Sequence, residues 1–180
     1  MGKYLKRKNP RLTTFDYTTP TVYFLTLCTK NRERCLSRIV GRGFDPAVRY
    51  EMELTPYGNI AEQDLLALPR HFTGVTVLQY SIMPDHVHIL LQLDAAAGSR
   101  PRPTDATETE RQPGKEARDN ARLGVPVIIG QYKSGVSRKC KRALWQASYY
   151  DRVVRSEQEL LEIQRYMENN PYQWVLDGKV

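Results

Sequence analysis

The chain has 180 residues, 41% of them hydrophobic, and a net charge of +7, which predicts one domain over residues 1–180 and favours a polyanionic partner such as nucleic acid. Its three cysteines form no Cys-x-x-Cys pair and no apolar run is long enough to span a membrane, which excludes zinc ribbons, disulfide scaffolds and membrane proteins. We therefore expect a cytoplasmic protein. The charge alone does not identify the partner, because a basic protein that binds no nucleic acid would have the same composition.

Four apolar segments in the first half of the chain predict β-strands. They are residues 21–29, 52–54, 74–83 and 86–93. The last two are expected to pair antiparallel across a turn. Residues 30–46, rich in Gly and Arg, predict a connection, and Thr55 and Pro56 open a helix that Pro69 is expected to end.

Residues 94–122 contain no aromatic and no large aliphatic side chain. Such a segment cannot bury enough apolar surface to offset the entropy lost on ordering. We therefore expect a flexible insertion within the domain.

An amphipathic helix is predicted over residues 125–142, and short strands are expected at 144–146 and 150–154. The apolar stripe of the helix consists of Ile128, Tyr132 and Val136. Its basic residues are Lys133, Arg138, Lys139, Lys141 and Arg142.

The last predicted helix begins at Ser156, which forms a capping box with Glu159, and Pro171 is expected to end it. Its core-facing residues are Leu160, Ile163 and Met167. Tyr166 lies at the border of that face, and Asn170 follows it by one turn of helix.

The most informative motif is a pair of histidines on a predicted strand. Since alternate side chains of a strand share a face, His86 and His88 lie side by side and Val87 packs on the other face. Two adjacent imidazoles are half of a metal site or an acid/base pair. The alternative is a pair of partly exposed strand histidines, but only one other histidine occurs in the chain.

The pattern suggests nucleophilic attack by a phenol on a phosphodiester. A divalent cation held by His86, His88 and Asn170 would polarise the phosphate, and Tyr166 would supply the nucleophile. The alternative for Tyr166 is a packing role, since the chain has 11 tyrosines, and Asn170 could simply be a residue at a helix end.

The motif Met83-Pro84-Asp85-His86-Val87-His88 resembles the His-hydrophobe-His motif of the HUH endonucleases. It is more similar to the Met-Pro-Asn-His-x-His signature of REP-associated tyrosine transposases and insertion-sequence-200-type transposases. The segments that match other motifs of these families, in the same order, are residues 23–26, 132–134, 145–155 and 165–171. The departures are Asp85 for the commoner Asn, Tyr132 for Phe, and the insertion at 94–122.

This resemblance implies an α+β fold of ferredoxin-like (RRM-like) type, an antiparallel sheet with helices packed on one face and a C-terminal helix that carries the tyrosine. It implies a metal-dependent endonuclease and strand transferase that cleaves single-stranded DNA near hairpins through a 5′-phosphotyrosine, as in DNA transposition. Tyr166 would match the nucleophile, His86 and His88 the metal ligands, and Asn170 the third ligand. The cofactor would be Mg²⁺ or Mn²⁺, and the protein could be a monomer or a homodimer.

Basic side chains are expected to neutralise DNA phosphates. They are Lys133, Arg138, Lys139, Lys141, Arg142, Arg152 and Arg155, with Lys3, Lys6, Arg7, Lys8 and Arg11 near the N-terminus. Trp145 and Tyr149 could stack on bases, although a core position is the preferred interpretation for Trp145. The competing hypothesis is a non-catalytic nucleic-acid-binding module of ferredoxin-like fold, a transposase remnant.

Overall fold

The computed structural model describes residues 15–40, 51–94 and 124–178. The basic N-terminal residues and the predicted insertion, except Asp94, lie outside the described residues. The elements, in chain order, are β1 (Thr21–Cys28), β2 (Ser37–Val40), β3 (Glu51–Leu54), α1 (Pro56–Leu66), α2 (Leu68–His71), β4 (Val75–Met83), β5 (His86–Leu93), α3 (Val125–Lys139), β6 (Tyr150–Val154) and α4 (Glu157–Leu176).

Four strands form one antiparallel sheet in the order β4-β5-β1-β6. The elements β1, α1, β4, β5, α3 and β6 thus follow the ferredoxin-like βαββαβ order, and the predicted fold is confirmed. The strands β2 and β3 pair with each other as a separate two-stranded sheet between β1 and α1.

Helices pack on both faces of the sheet, whereas the resemblance implied helices on one face only. Val87, Ile89 and Leu91 of β5 pack with α1 and α3, where Ile128 and Ile129 are fully buried. Burial of each such side chain stabilises the fold by about 1.5–3 kcal/mol. On the other face, β5 and α4 pack in a smaller apolar cluster of Leu90, Val154, Ile163 and Met167. The C-terminal helix therefore covers the sheet face that carries the two histidines.

The structure corrects four predictions about element boundaries. The connection over 30–46 contains β2, and the predicted strand at 144–146 is reduced to a single bridge between Thr29 and Trp145. The helix predicted to reach residue 142 ends at Lys139. Pro69 does not end α1 but lies in the first turn of α2, where a missing N–H costs nothing.

The prediction that Pro171 ends the last helix was wrong, because α4 continues to Leu176. Proline removes one backbone hydrogen bond from the helix. Burial of Trp174 and Val175 beyond it offsets that loss. At the other end, the Ser156 side chain accepts a hydrogen bond from the Glu159 N–H, as predicted, while the Glu159 carboxylate accepts one from the Arg155 N–H.

No helix in the described ranges combines the length and the apolar character that crossing a bilayer requires.

Candidate active site

Strand register determines the surroundings of the histidine pair. In the antiparallel pairing of β5 with β1, His86 lies opposite Cys28 and His88 lies opposite Thr26. Both imidazoles are buried, with exposed fractions of 7% for His86 and 4% for His88. The alternative of partly exposed strand histidines is therefore excluded.

Hydrogen bonds fix the orientation of both rings. The Asp85 carboxylate lies 2.5 Å from His86 Nδ1, and Thr26 Oγ1 lies 2.9 Å from His88 Nδ1. Because a carboxylate only accepts, His86 Nδ1 carries a proton. The two Nε2 atoms face each other at 3.0 Å and share one proton in a hydrogen bond.

Burial sets the charge of this pair. It lowers the pKa of His88 to about 3, and electrostatic interactions with His86 and Arg32 act in the same direction. For Asp85, burial alone would raise the pKa. The hydrogen bond from His86, together with electrostatic interactions with His86, Arg32 and Arg34, lowers the pKa of Asp85 overall. At neutral pH the site therefore holds a neutral His88 and an ionised Asp85, which is the state that metal binding by imidazole requires.

Two aromatic residues of α4, spaced eight apart, lie next to the imidazoles. The Tyr166 ring lies 5.4 Å from the His88 ring, and the Trp174 ring lies 5.7 Å from the His86 ring, measured between centroids. Asn170 lies between them on the same helical face. Tyr166 is 51% exposed, whereas Asn170 is 8% exposed.

Asn170 has an unusual side chain for a buried position. Its Nδ2 is buried and has no hydrogen-bond partner in the described part of the chain. Buried amides normally have a partner, because an unpaired one costs about 1–3 kcal/mol. Because a cation binds the amide oxygen and not Nδ2, the predicted ligand atom is Oδ1, and the unpaired Nδ2 marks a buried polar position one helical turn from Tyr166.

The donor set fits a divalent cation. A separation of 3.0 Å between the Nε2 atoms matches two donors bound side by side to an ion with bonds of about 2.1 Å. Within residues 15–40, 51–94 and 124–178, no three His, Cys, Asp or Glu side chains cluster as a metal site. A third protein ligand would therefore come from another kind of side chain, and the amide oxygen of Asn170 is the predicted one.

A cavity of about 410 Å³ adjoins the histidine pair. His88, Thr26 and Tyr166 line it, together with the exposed Tyr150 and Arg152. It places an open space beside the Tyr166 ring, where a strand of nucleic acid could reach the phenol.

The predicted basic residues are distributed over both layers of the fold. Lys133, Arg138 and Lys139 belong to α3, which packs on the sheet face opposite the imidazoles. Arg152 lines the cavity and pairs with Glu159 at 2.6 Å, and Arg155 is exposed just before α4.

Three of the basic side chains are engaged with the protein itself. Lys133 donates to the carbonyls of residues 146–148, Lys139 pairs with Asp64, and Arg142 pairs with Glu33. The structure thus brings Tyr166, His88 and Arg152 together around the cavity, with His86 beside His88 and Asn170 one turn of helix from Tyr166. The basic residues of α3 lie on the other face of the sheet. Trp145 and Tyr149 are both buried, so the core position preferred for Trp145 is confirmed and neither ring is exposed for stacking on bases.

Several residues at the site were not predicted from the sequence. Phe24 stacks on His88 with centroids 5.2 Å apart, and Thr26 orients His88. Their alternation along β1 was the available signal. Trp174, which contacts His86, lies four residues after Asn170 and could have been found by helical spacing.

A curated protein is similar to this chain over most of its length. No family model matches the chain. An uncharacterized protein of Haemophilus influenzae (strain Rd) is 28% identical over 177 residues, which cover 95% of this chain and 91% of that protein.

Two solved structures are similar to the chain. A REP-associated tyrosine transposase bound to a REP hairpin superposes with a TM-score of 0.55 at 13% identity, over 91% of this chain and 73% of that one. A candidate transposase from Deinococcus radiodurans gives a TM-score of 0.45 at 19% identity, over 88% of this chain and 95% of that one, which is too loose to carry an argument. The first of these shows that the chain has the fold of a tyrosine transposase.

Proposed function

We propose that the chain is a metal-dependent endonuclease and strand transferase for single-stranded DNA, of the REP-associated tyrosine transposase type. The enzyme would cleave single-stranded DNA near hairpins, as a step of DNA transposition. The observation that carries the proposal is the position of the Tyr166 ring, 5.4 Å from His88 and at the edge of an open cavity.

Tyr166 would supply the nucleophile for cleavage. The Tyr166 oxygen attacks the phosphorus, the bond from phosphorus to the 3′ oxygen breaks, and the 3′ oxygen leaves as a hydroxyl after taking a proton. The product is a 5′-phosphotyrosine, which a free 3′ hydroxyl can reverse, so that cleavage and rejoining use one site.

His86, His88 and Asn170 would hold Mg²⁺ or Mn²⁺, which when bound would polarise the phosphate and offset its developing charge. Asp85 and Thr26 keep the imidazoles oriented from behind. The proton between the two Nε2 atoms must leave before both can act as ligands. Thr26 allows this because its hydroxyl can donate to His88 Nδ1 or accept from it.

The proposed partner is a single DNA strand with a hairpin. Two observations support it: the net charge of +7 and the fold shared with a transposase bound to a REP hairpin. Arg152, which lines the cavity, would contact the strand.

Labelled single strands from the DNA that flanks the gene would test the proposal. With Mn²⁺, a 3′-labelled strand should become linked to the protein through denaturation, and a 5′-labelled strand should be released with a 3′ hydroxyl. EDTA and Tyr166→Phe should both abolish the adduct, while Tyr150→Phe, an exposed tyrosine across the cavity, should retain it. Binding without any adduct would favour the non-catalytic module.

A further inference from the structure

The loop between β1 and β2 carries two arginines that border the histidine pair. Arg32 Nη1 lies 3.5 Å from the Asp85 carboxylate and 3.1 Å from Cys28 Sγ. The Arg34 guanidinium lies 5.8 Å from the centre of the Trp174 ring, and that ring also lies next to the His86 ring. Both side chains therefore lie next to residues that contact His86.

This loop is held in one conformation by the turn that precedes His86. The Thr29 N–H and hydroxyl both donate to the Asp85 carbonyl, and the Leu36 N–H donates to the Pro84 carbonyl. Asn31 and Arg32 both have φ of 56°, a left-handed conformation that side chains other than glycine rarely adopt. Such backbone is retained where surrounding structure enforces it, and it concentrates at functional sites.

The arginines keep most of their donors available. Arg32 has a side chain that is 54% exposed and only Nη1 is engaged, and a guanidinium has five N–H donors. Arg34 is exposed, and no carboxylate of the described residues pairs with it. On α3, by contrast, Lys139 is neutralised by Asp64.

We infer that Arg32 and Arg34 bind the DNA phosphates beside the imidazole pair, so that this loop, rather than the basic face of α3, anchors the strand for cleavage. The inference deepens the proposed function and rests on it for the identity of the ligand.

Fluorescence anisotropy with a labelled hairpin-bearing single strand tests the inference. In a Tyr166→Phe background with EDTA, binding is measured without cleavage. Arg34→Gln should reduce the slope of log K against the logarithm of salt concentration by about 0.7. With 1 M salt as the reference, this loss makes binding about fivefold weaker at about 0.1 M salt. Arg34→Lys should restore the slope, because it retains the charge.

Two matched controls remove the same charge elsewhere. Arg70→Gln, in α2 on the other layer, should leave binding unchanged, and Arg138→Gln on α3 should cost less than Arg34→Gln. Arg32→Gln should weaken binding like Arg34→Gln, and thermal unfolding reports whether loss of its Asp85 contact also affects folding.

Equal binding by the Arg34→Gln and parent proteins, or an equal loss in Arg70→Gln, would overturn the inference. The outcome is separable from that of the proposed function. A wild-type protein that forms no adduct refutes the nuclease but leaves the binding comparison valid. Normal adduct formation with unchanged Arg34→Gln binding refutes the arginine loop alone.

Discussion

Replacing Asn170 with leucine is expected to stabilise the metal-free protein and to weaken its binding of a divalent cation. The Asn170 Nδ2 is buried without a hydrogen-bond partner among the described residues, and an unpaired buried amide costs about 1–3 kcal/mol. Leucine has the same branched shape without polar atoms. The substitution therefore removes that cost, and it also removes the amide oxygen that is proposed to bind the cation.

The expected gain in free energy of unfolding is about 1–2 kcal/mol, or ~2–4 °C in Tm for each kcal/mol in a protein of this size. Thermal unfolding in EDTA measures it. Repeating the scan over a series of Mn²⁺ concentrations gives the affinity, because a cation that binds only the folded state raises Tm with concentration. The wild type should gain Tm from Mn²⁺, and Asn170→Leu should gain much less.

Asn169→Leu is the matched control, since Asn169 is exposed on the same helix. It should change stability by less than about 0.5 kcal/mol and leave the Mn²⁺ response intact. Lower stability of Asn170→Leu in EDTA would show that the amide has a partner in solution. An unchanged Mn²⁺ response would show that Asn170 is not a ligand.

Three further predictions concern the groups around the histidines and the packing of two glycines in α1 and α3. Asp85→Ala should weaken Mn²⁺ binding by about 10–100-fold in calorimetric titration, and Asp85→Asn should weaken it less, because its oxygen still accepts from His86 Nδ1; equal losses would contradict this role of the carboxylate. The pKa of His88 is about 3 in the folded protein and about 6.5 when unfolded, so the unfolded state takes up the proton and stability in EDTA should fall as pH drops from about 6.5 towards 3, by at most about 1.4 kcal/mol per pH unit. His88→Gln should flatten that fall in urea titrations, and an equal slope in both proteins would refute the assignment. Gly58→Ala should cost about 1–3 kcal/mol, because an added Cβ would collide with the Leu36 carbonyl, whereas Gly130→Ala, with open space around it, should stabilise α3 by about 0.5–1 kcal/mol; urea unfolding that reversed this order would contradict the packing described here.

The histidine pair was predictable because strand alternation is a local property. The spacing of His86 and His88 fixes a shared face whatever the neighbouring strands are. The roles of Thr26 and Cys28 depend on the register between β1 and β5, which is set by tertiary packing rather than by either strand alone. The sequence therefore predicted the histidine pair but not the groups that orient it.

The error at Pro171 concealed part of the site. A proline in a helical pattern is a reasonable end signal, and ending the helix there excluded Trp174. The helix continues because Trp174 and Val175 are buried in tertiary contacts, which no local pattern reports. The role proposed for Arg34 follows from its contact with Trp174 and could not be inferred before that contact was known.

The basic residues illustrate the limit of composition. A run from Lys133 to Arg142 without acids predicts an anionic partner, but distant carboxylates such as Asp64 and Glu33 pair with it in the fold. Single arginines of a connecting loop, less conspicuous in the sequence, lie nearer the imidazoles.

The most direct test is to identify the residue that carries DNA after reaction with Mn²⁺. Trypsin cuts after Arg165, so the expected adduct is on the first residue of a peptide that begins at Tyr166, and fragment spectra distinguish it from Tyr172 in the same peptide. We predict a nucleotide on Tyr166. A nucleotide on Tyr172 or elsewhere, or an adduct that persists in Tyr166→Phe, would contradict the assignment of the nucleophile.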